Sequence, residues 1–105
     1  MSNLVIRKAL SSDLTALIDL ENACFNNDKL SPRSLKRWLS AKHGILLVAD
    51  NSEQVCGYGL VWCHKGTRLA RLYSLAVKPT MQGKGIAKML LAELEKQTSE
   101  RGRLY

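Results

Sequence analysis

The stretch Leu75-Ala76-Val77-Lys78-Pro79-Thr80-Met81-Gln82-Gly83-Lys84-Gly85-Ile86-Ala87 holds the residue types best suited to chemistry. An apolar run meets a proline, a glycine-rich turn follows, and the turn opens into a helical pattern. The first N–H groups of a helix lack intrahelical partners and sit at the positive end of its dipole. Such a place holds anions, phosphate above all. Gly83 and Gly85 remove Cβ atoms where backbone must approach an oxyanion. Lys84 and Lys88 add positive charge, and the Gln82 amide can donate. A tight loop shaped by the same two glycines, with no ligand, is the plainer alternative.

Neither G-x-x-x-x-G-K-[ST] nor a G-x-G-x-x-G after the first strand is present, which disfavours nucleoside triphosphates and dinucleotides. Charge points the same way as the turn. The net charge is +7, and no acidic residue lies between Glu53 and Glu93. That interval contains Lys65, Arg68, Arg71, Lys78, Lys84 and Lys88. A cationic stretch free of carboxylates favours an anionic partner, either a phosphorylated cofactor or nucleic acid.

The chain of 105 residues fits a single domain over residues 1–105. Such a chain buries roughly 65% of its unfolded surface, enough for one core. No apolar run nears the ~18 residues of a membrane span. The start shows no secretory pattern. Cys24, Cys56 and Cys63 are odd in number and lack C-x-x-C spacing, so they read as reduced structural thiols in a cytoplasmic protein.

The elements that would position the loop follow from periodicity. Residues 4–7 suit a first strand. Ser11 or Ser12 is expected to cap a helix running to about Asn22, with Leu14, Leu17, Ile18, Cys24 and Phe25 on one face. Ser31-Pro32 opens a second helix with Leu35, Trp38 and Leu39 as its buried stripe, and Gly44 is its expected stop. Residues 45–49 and 55–64 form a hairpin around Asp50-Asn51-Ser52. Gly57 and Gly59 mark a bulge or a close backbone approach there. Gly66-Thr67 allows a turn, residues 69–77 form another strand, and residues 84–101 form the longest helix, stopped by Gly102. The order β-α-α-β-β-β-α gives an α+β (α/β) fold with a mostly antiparallel mixed sheet.

Gln82-x-x-Gly85-x-Ala87, placed after Leu75-Ala76-Val77 and Pro79, resembles the signature of the GCN5-related N-acetyltransferases. The early Ile6-Arg7 strand and the Asp13-Leu14 helix start are similar too, so the resemblance covers essentially the whole chain. Its closest flavour is the group that acetylates protein N-terminal amines, including ribosomal proteins. The resemblance implies acetyl-CoA as co-substrate and a primary amine as acceptor. It implies a pyrophosphate held by Gln82, Gly83, Lys84, Gly85, Ile86, Ala87 and Lys88. The strand residues Leu75, Ala76 and Val77 would pair with the pantetheine arm, and the Leu75 N–H would stabilise the oxyanion.

Domains of that family continue past the long helix with a further strand, a helix carrying a frequent Tyr acid, and more strands. The resemblance therefore implies that the C-terminal strands and helix, with half of the cofactor slot, are lacking here. No residue, Tyr105 included, matches that Tyr. An open sheet edge would then favour self-association.

No general base stands out. Glu21 and Asp28 are candidate substrate-side carboxylates, more simply read as solvated groups. Tyr73 could line the acceptor site or pack on the first helices. His43 and His64 suit surface or capping roles, and Trp38 and Trp62 suit half-buried packing. Two other readings remain: a cofactor-binding module without turnover, and a small basic nucleic-acid binder. The latter has charge alone in its favour, because no zinc-finger, RNP or helix-turn-helix pattern is present.

Overall fold

The computed structural model describes residues 4–63 and 68–102. The expectations placed on His64, Lys65, Gly66-Thr67 and Tyr105 lie outside those residues. The elements run β1 (Val5–Lys8), a 3-10 turn (Ser11–Asp13), α1 (Leu14–Cys24), α2 (Pro32–Leu39), β2 (Gly44–Asp50), β3 (Val55–Cys63), β4 (Ala70–Val77), a second 3-10 turn (Pro79–Met81) and α3 (Ile86–Glu100). This is the order expected from the sequence. The sheet runs β1-β2-β3-β4, and every described pairing is antiparallel.

Strand alternation sends side chains to two cores. Leu47, Ala49, Cys56, Val61 and Cys63 meet Ile86, Leu90 and Leu94 of α3 on one face. Leu46, Val48, Tyr58, Leu60 and Ala76 meet Leu17, Leu20 and Leu35 of α1 and α2 on the other. Gly59 lets α3 settle on the sheet, since a Cβ there would lie 2.6 Å from Leu94 Cδ1. A Cβ on Gly57 would lie 2.8 Å from the Ala76 carbonyl oxygen. Both glycines mark close approaches, one of the two readings the sequence allowed.

Several local expectations change. Neither Ser11 nor Ser12 caps α1, because a 3-10 turn comes first. The Asp13 carboxylate instead accepts the Leu10 N–H at 2.7 Å and holds Arg7 at 2.8 and 3.0 Å. Arg7 also donates to Asp50 at 3.2 and 3.1 Å, which ties β1, the turn and β2 together. Gly44 does not stop α2, which ends at Leu39. It is buried in β2, where a Cβ would come 2.6 Å from the Trp38 ring. α3 begins at Ile86 rather than at Lys84, because Gly85 has φ +81° and breaks the helical path. Ser31 does cap α2, accepting the Ser34 N–H at 3.1 Å with Pro32 in the first turn.

Candidate functional site

The glycine-rich turn stands at the end of β4, the edge strand on that side of the described sheet. Gly83 has φ +83° and Gly85 φ +81°, a region that L side chains enter at a cost. A Cβ at either position would meet nothing within 4 Å. Their backbone conformation, not crowding by the protein, calls for glycine. The space above them is open.

The N–H groups of Gly83, Lys84, Gly85, Ile86, Ala87 and Lys88 have no acceptor among the described residues. The first bond of this end runs from Met89 N–H to the Gly85 carbonyl at 3.1 Å. Bare amides therefore converge on the start of a helix of 15 residues. They border a groove of about 520 Å³ lined by Leu75, Val77, Met81, Gln82, Gly83, Gly85, Ile86, Ala87 and Lys88. Lys84 is exposed beside it.

Gln82 behaves differently from its sequence reading. Its side-chain amide donates to the Val77 carbonyl at 3.1 Å, so it clamps the turn to the strand end. The Cys24 thiol donates to the same carbonyl at 3.3 Å. Lys78 N–H reaches inward to the Cys56 carbonyl at 2.7 Å, and the Ala76 carbonyl faces Gly57. Alternation then turns the amide and carbonyl of Leu75 and of Val77 to the open edge. The edge next to the groove thus presents unpaired main chain at Leu75.

Upstream, the register slips. Leu60 faces Ser74 and Val61 faces Leu72, leaving Tyr73 as the extra residue of a bulge. Tyr73 is 49% exposed, with its ring centroid 5.4 Å from that of Trp38. It both packs on α2 and lines a cavity of about 420 Å³ with Phe25, Asp28, Leu30, Ser74 and Leu75. Asp28 is exposed at that cavity. His43 is exposed, and its carbonyl accepts the Cys63 N–H at 2.7 Å. Trp62 stacks edge-on against Trp38, their centroids 6.3 Å apart.

Glu21 is not a solvated carboxylate. It is 1% exposed and lies within the second core. It accepts the Leu30 N–H and the Tyr58 hydroxyl, and the latter lies 2.8 Å from Ser74 Oγ. Burial, and the hydrogen bond to Glu21, push the Tyr58 hydroxyl pKa well up, so it stays protonated. No carboxylate occurs in β3 or β4, yet one reaches β4 through Tyr58. Sequence reasoning missed Tyr58 and Ser74 entirely. For Glu21 a signal existed: Leu14, Leu17, Glu21 and Cys24 follow helical spacing.

Among the described residues, no group of three or more His, Cys, Asp or Glu could hold a metal, and no helix is long and apolar enough to cross a membrane.

An antiparallel sheet whose edge strand leads into a bare-amide helix start makes a fold able to cradle an anion. The family described as acetyltransferase (GNAT) domain matches residues 12–104, and the chain belongs to that family. No curated protein matches its sequence. Solved structures do match its fold. A PaiA N-acetyltransferase from Thermoplasma acidophilum in complex with coenzyme A is 23% identical with a TM-score of 0.85, over 95% of this chain and 74% of that one. A ribosomal-protein alanine N-acetyltransferase from Escherichia coli is 18% identical with a TM-score of 0.81, over 94% of this chain and 61% of that one. An aminoglycoside acetyltransferase from an uncultured soil metagenomic sample, in complex with sisomicin, is 22% identical with a TM-score of 0.76, over 96% and 73%.

Proposed function

We propose that this chain transfers the acetyl group of acetyl-CoA to a primary amine, with a protein N-terminus as the acceptor. The observation that carries the reading is the run of unpartnered N–H groups from Gly83 to Lys88 around an open groove. The pyrophosphate sits on the amides of Gly83, Lys84, Gly85, Ile86, Ala87 and Lys88, with the charges of Lys84 and Lys88 beside it, while Gln82, whose own N–H groups go to Pro79 and Val77, holds the turn in place. The pantetheine arm lies along Leu75, Ala76 and Val77 and pairs with main chain as an added strand would. The edge-facing N–H of Leu75 points to the thioester oxygen and stabilises the negative charge that forms there. The amine must arrive neutral, because an ammonium has no lone pair with which to attack.

In this reading residues 1–105 lie within one cytoplasmic domain. Without cofactor, the β4 edge pairs with a second copy, so coenzyme A and self-association compete for one surface. Light scattering with and without coenzyme A tests that pairing, and a monomer under both conditions refutes it.

Calorimetry with coenzyme A, followed by mass spectrometry of peptides incubated with acetyl-CoA, tests the whole proposal. Binding and a 42 Da gain on free N-termini, about the mass of an acetyl group replacing hydrogen, are expected. Absence of heat at millimolar coenzyme A overturns it. Binding without acetylation of any amine would reduce the chain to a cofactor-binding module.

A further inference from the structure

We propose that the groove around the connection from α2 to β2 binds single-stranded nucleic acid, with bases stacked on Trp62 and Tyr73 and phosphates held by Arg37, Lys42, Lys8 and Arg101. This second site goes beyond acetyl transfer and does not depend on it.

The argument begins with charge. Residues 29–49 contain Lys29, Arg33, Lys36, Arg37 and Lys42 and no acidic residue, and residues 54–92 contain no acidic residue either. The first stretch makes α2 and β2, and the second makes β3 and β4. The fold brings the two acid-free stretches together at the end of the sheet away from the glycine-rich turn. Among the described residues every ion pair belongs to Arg7, so the cations of this region stay uncompensated. Such a surface draws anions.

Aromatic rings supply the other half of the site. Trp38 of α2 meets Trp62 of β3 and Tyr73 of β4, with centroids 6.3 and 5.4 Å apart. Trp62 is 39% exposed and Tyr73 49% exposed. The three rings wall a cavity of about 590 Å³ together with Arg37, Lys42 and His43. A second cavity of about 300 Å³ shares Trp38, Ala41 and Lys42 with the first and adds Lys8 and Arg101. Arg101 donates to the Lys42 carbonyl at 3.3 Å, which fixes it at the groove. Among the described residues neither cavity is lined by a carboxylate. Arg71 is exposed and faces Trp62 across the β3–β4 pair.

Rings and cations in one track select the ligand. A ring face takes a planar group, and a cation takes a phosphate. A single strand of nucleic acid offers both at every nucleotide, with base faces that a duplex keeps closed. An acidic peptide would satisfy the cations and leave the rings in water. A lone nucleotide would occupy one cavity and leave the cations of the other unmatched. The joined cavities therefore suit several successive nucleotides.

This groove is separate from the cofactor groove. Along β3, Trp62 stands five residues from Gly57, which pairs with Val77 next to the glycine-rich turn. Roughly 17 Å of strand lies between them.

The chain has two tryptophans, and both line this groove, so their fluorescence reports the site. The test titrates the 105-residue chain with oligouridylate of about a dozen nucleotides, a length that spans a groove of this kind. Tryptophan quenching is expected, and anisotropy of a labelled strand gives the affinity. Affinity should fall with salt at a log–log slope of roughly −2 to −3, the counterions of three or four phosphates. Trp62→Ala should weaken binding about fivefold to a hundredfold, the loss of one stacked base, and Trp62→Phe should restore most of it. Arg37→Ala combined with Lys42→Ala should weaken binding and reduce the salt slope by about 1.4, two phosphates fewer. Both of these side chains are exposed, so this pair decides if Trp62→Ala fails to fold. Saturating coenzyme A should leave the strand affinity within about twofold, as expected for distant sites. Absence of quenching and of any anisotropy change at low salt overturns the inference. Equal affinity for polyglutamate of the same length overturns it, because the groove would then be a bare cationic surface. Equal affinity for uridine monophosphate overturns the choice of a strand. Displacement of the strand by coenzyme A would place it on the glycine-rich turn and overturns the site. A chain that binds the strand and not coenzyme A keeps this inference and loses the cofactor reading.

Discussion

Ser74 and Leu75 are neighbours in β4 that serve opposite faces of the sheet. Ser74 meets Tyr58 and Glu21 on the side of α1 and α2, while Leu75 packs against the core beneath α3. The peptide between them sits at the junction of two cavities, one against the glycine-rich turn and one against the α1–α2 connection.

Gly85 gives the most direct handle on the cofactor side. Its φ of +81° strains any L residue, so Gly85→Ala should lose about 1–2 kcal/mol of stability. Gly85→Glu carries similar strain and also puts a carboxylate over the bare amides. Coenzyme A affinity should fall at least about tenfold beyond the Ala variant, the effect of one like charge at close range. Urea melts measure the strain and calorimetry measures the affinity. Equal affinity in the two variants would argue against an anion at this turn.

Most of the fold was legible because each element announces itself locally. The Ser31-Pro32 start of α2 is backbone chemistry and stands where the sequence placed it, while the glycine-rich start of α3 falls two residues later than expected, at Ile86. What could not be read depends on contacts distant in the chain. Gly44 has the look of a helix stop, but its reason is the Trp38 ring against β2. The Glu21–Tyr58–Ser74 chain joins three elements across separations of 37 and 16 residues, and no local pattern encodes that. The bulge at Tyr73 likewise exists only in the pairing of β4 with β3.

Gly57 and Gly59 should differ in tolerance, and the difference tests the packing of α3. A Cβ on Gly59 meets the flexible end of Leu94, which can swing aside. A Cβ on Gly57 meets the Ala76 carbonyl oxygen, which belongs to the strand backbone. Gly57→Ala should cost about 2–3 kcal/mol and Gly59→Ala about 1 kcal/mol, the range of core overpacking. Chemical denaturation gives both values. The reverse order would mean that β4 gives way more easily than α3.

Stability should fall in acid through Asp13. The Arg7 hydrogen bonds hold its carboxyl below the ordinary 3.8, against the opposing effect of burial. A depressed carboxyl binds fewer protons folded than unfolded, so its contribution is full above pH 3.8 and fades as pH drops through the folded value. Thermal melts at falling pH should show this loss, and Asp13→Asn should flatten the slope below pH 4, roughly the unfolded Asp value. A parallel decline in both proteins would place the acid sensitivity elsewhere.

The cysteines should be slow to react in the native chain. All three are free, Cys56 and Cys63 are buried, and Cys24 is half-buried. Burial raises the Cys24 thiol above its ordinary 9.0, and the nearby Glu21 charge raises it further. Burial raises Cys56 in the same way. Only the thiolate attacks disulfide reagents, and at pH 7.5 a group titrating above 9.0 is mostly thiol. Ellman's reagent should therefore label the native chain far more slowly than the urea-unfolded chain. Coenzyme A should slow it further, because Cys24 binds the Val77 carbonyl at the end of the strand that lines the groove. Ligand on that strand suppresses the local opening through which the reagent enters. Rapid labelling of Cys24 that ignores the cofactor would show that the strand end moves independently of the groove.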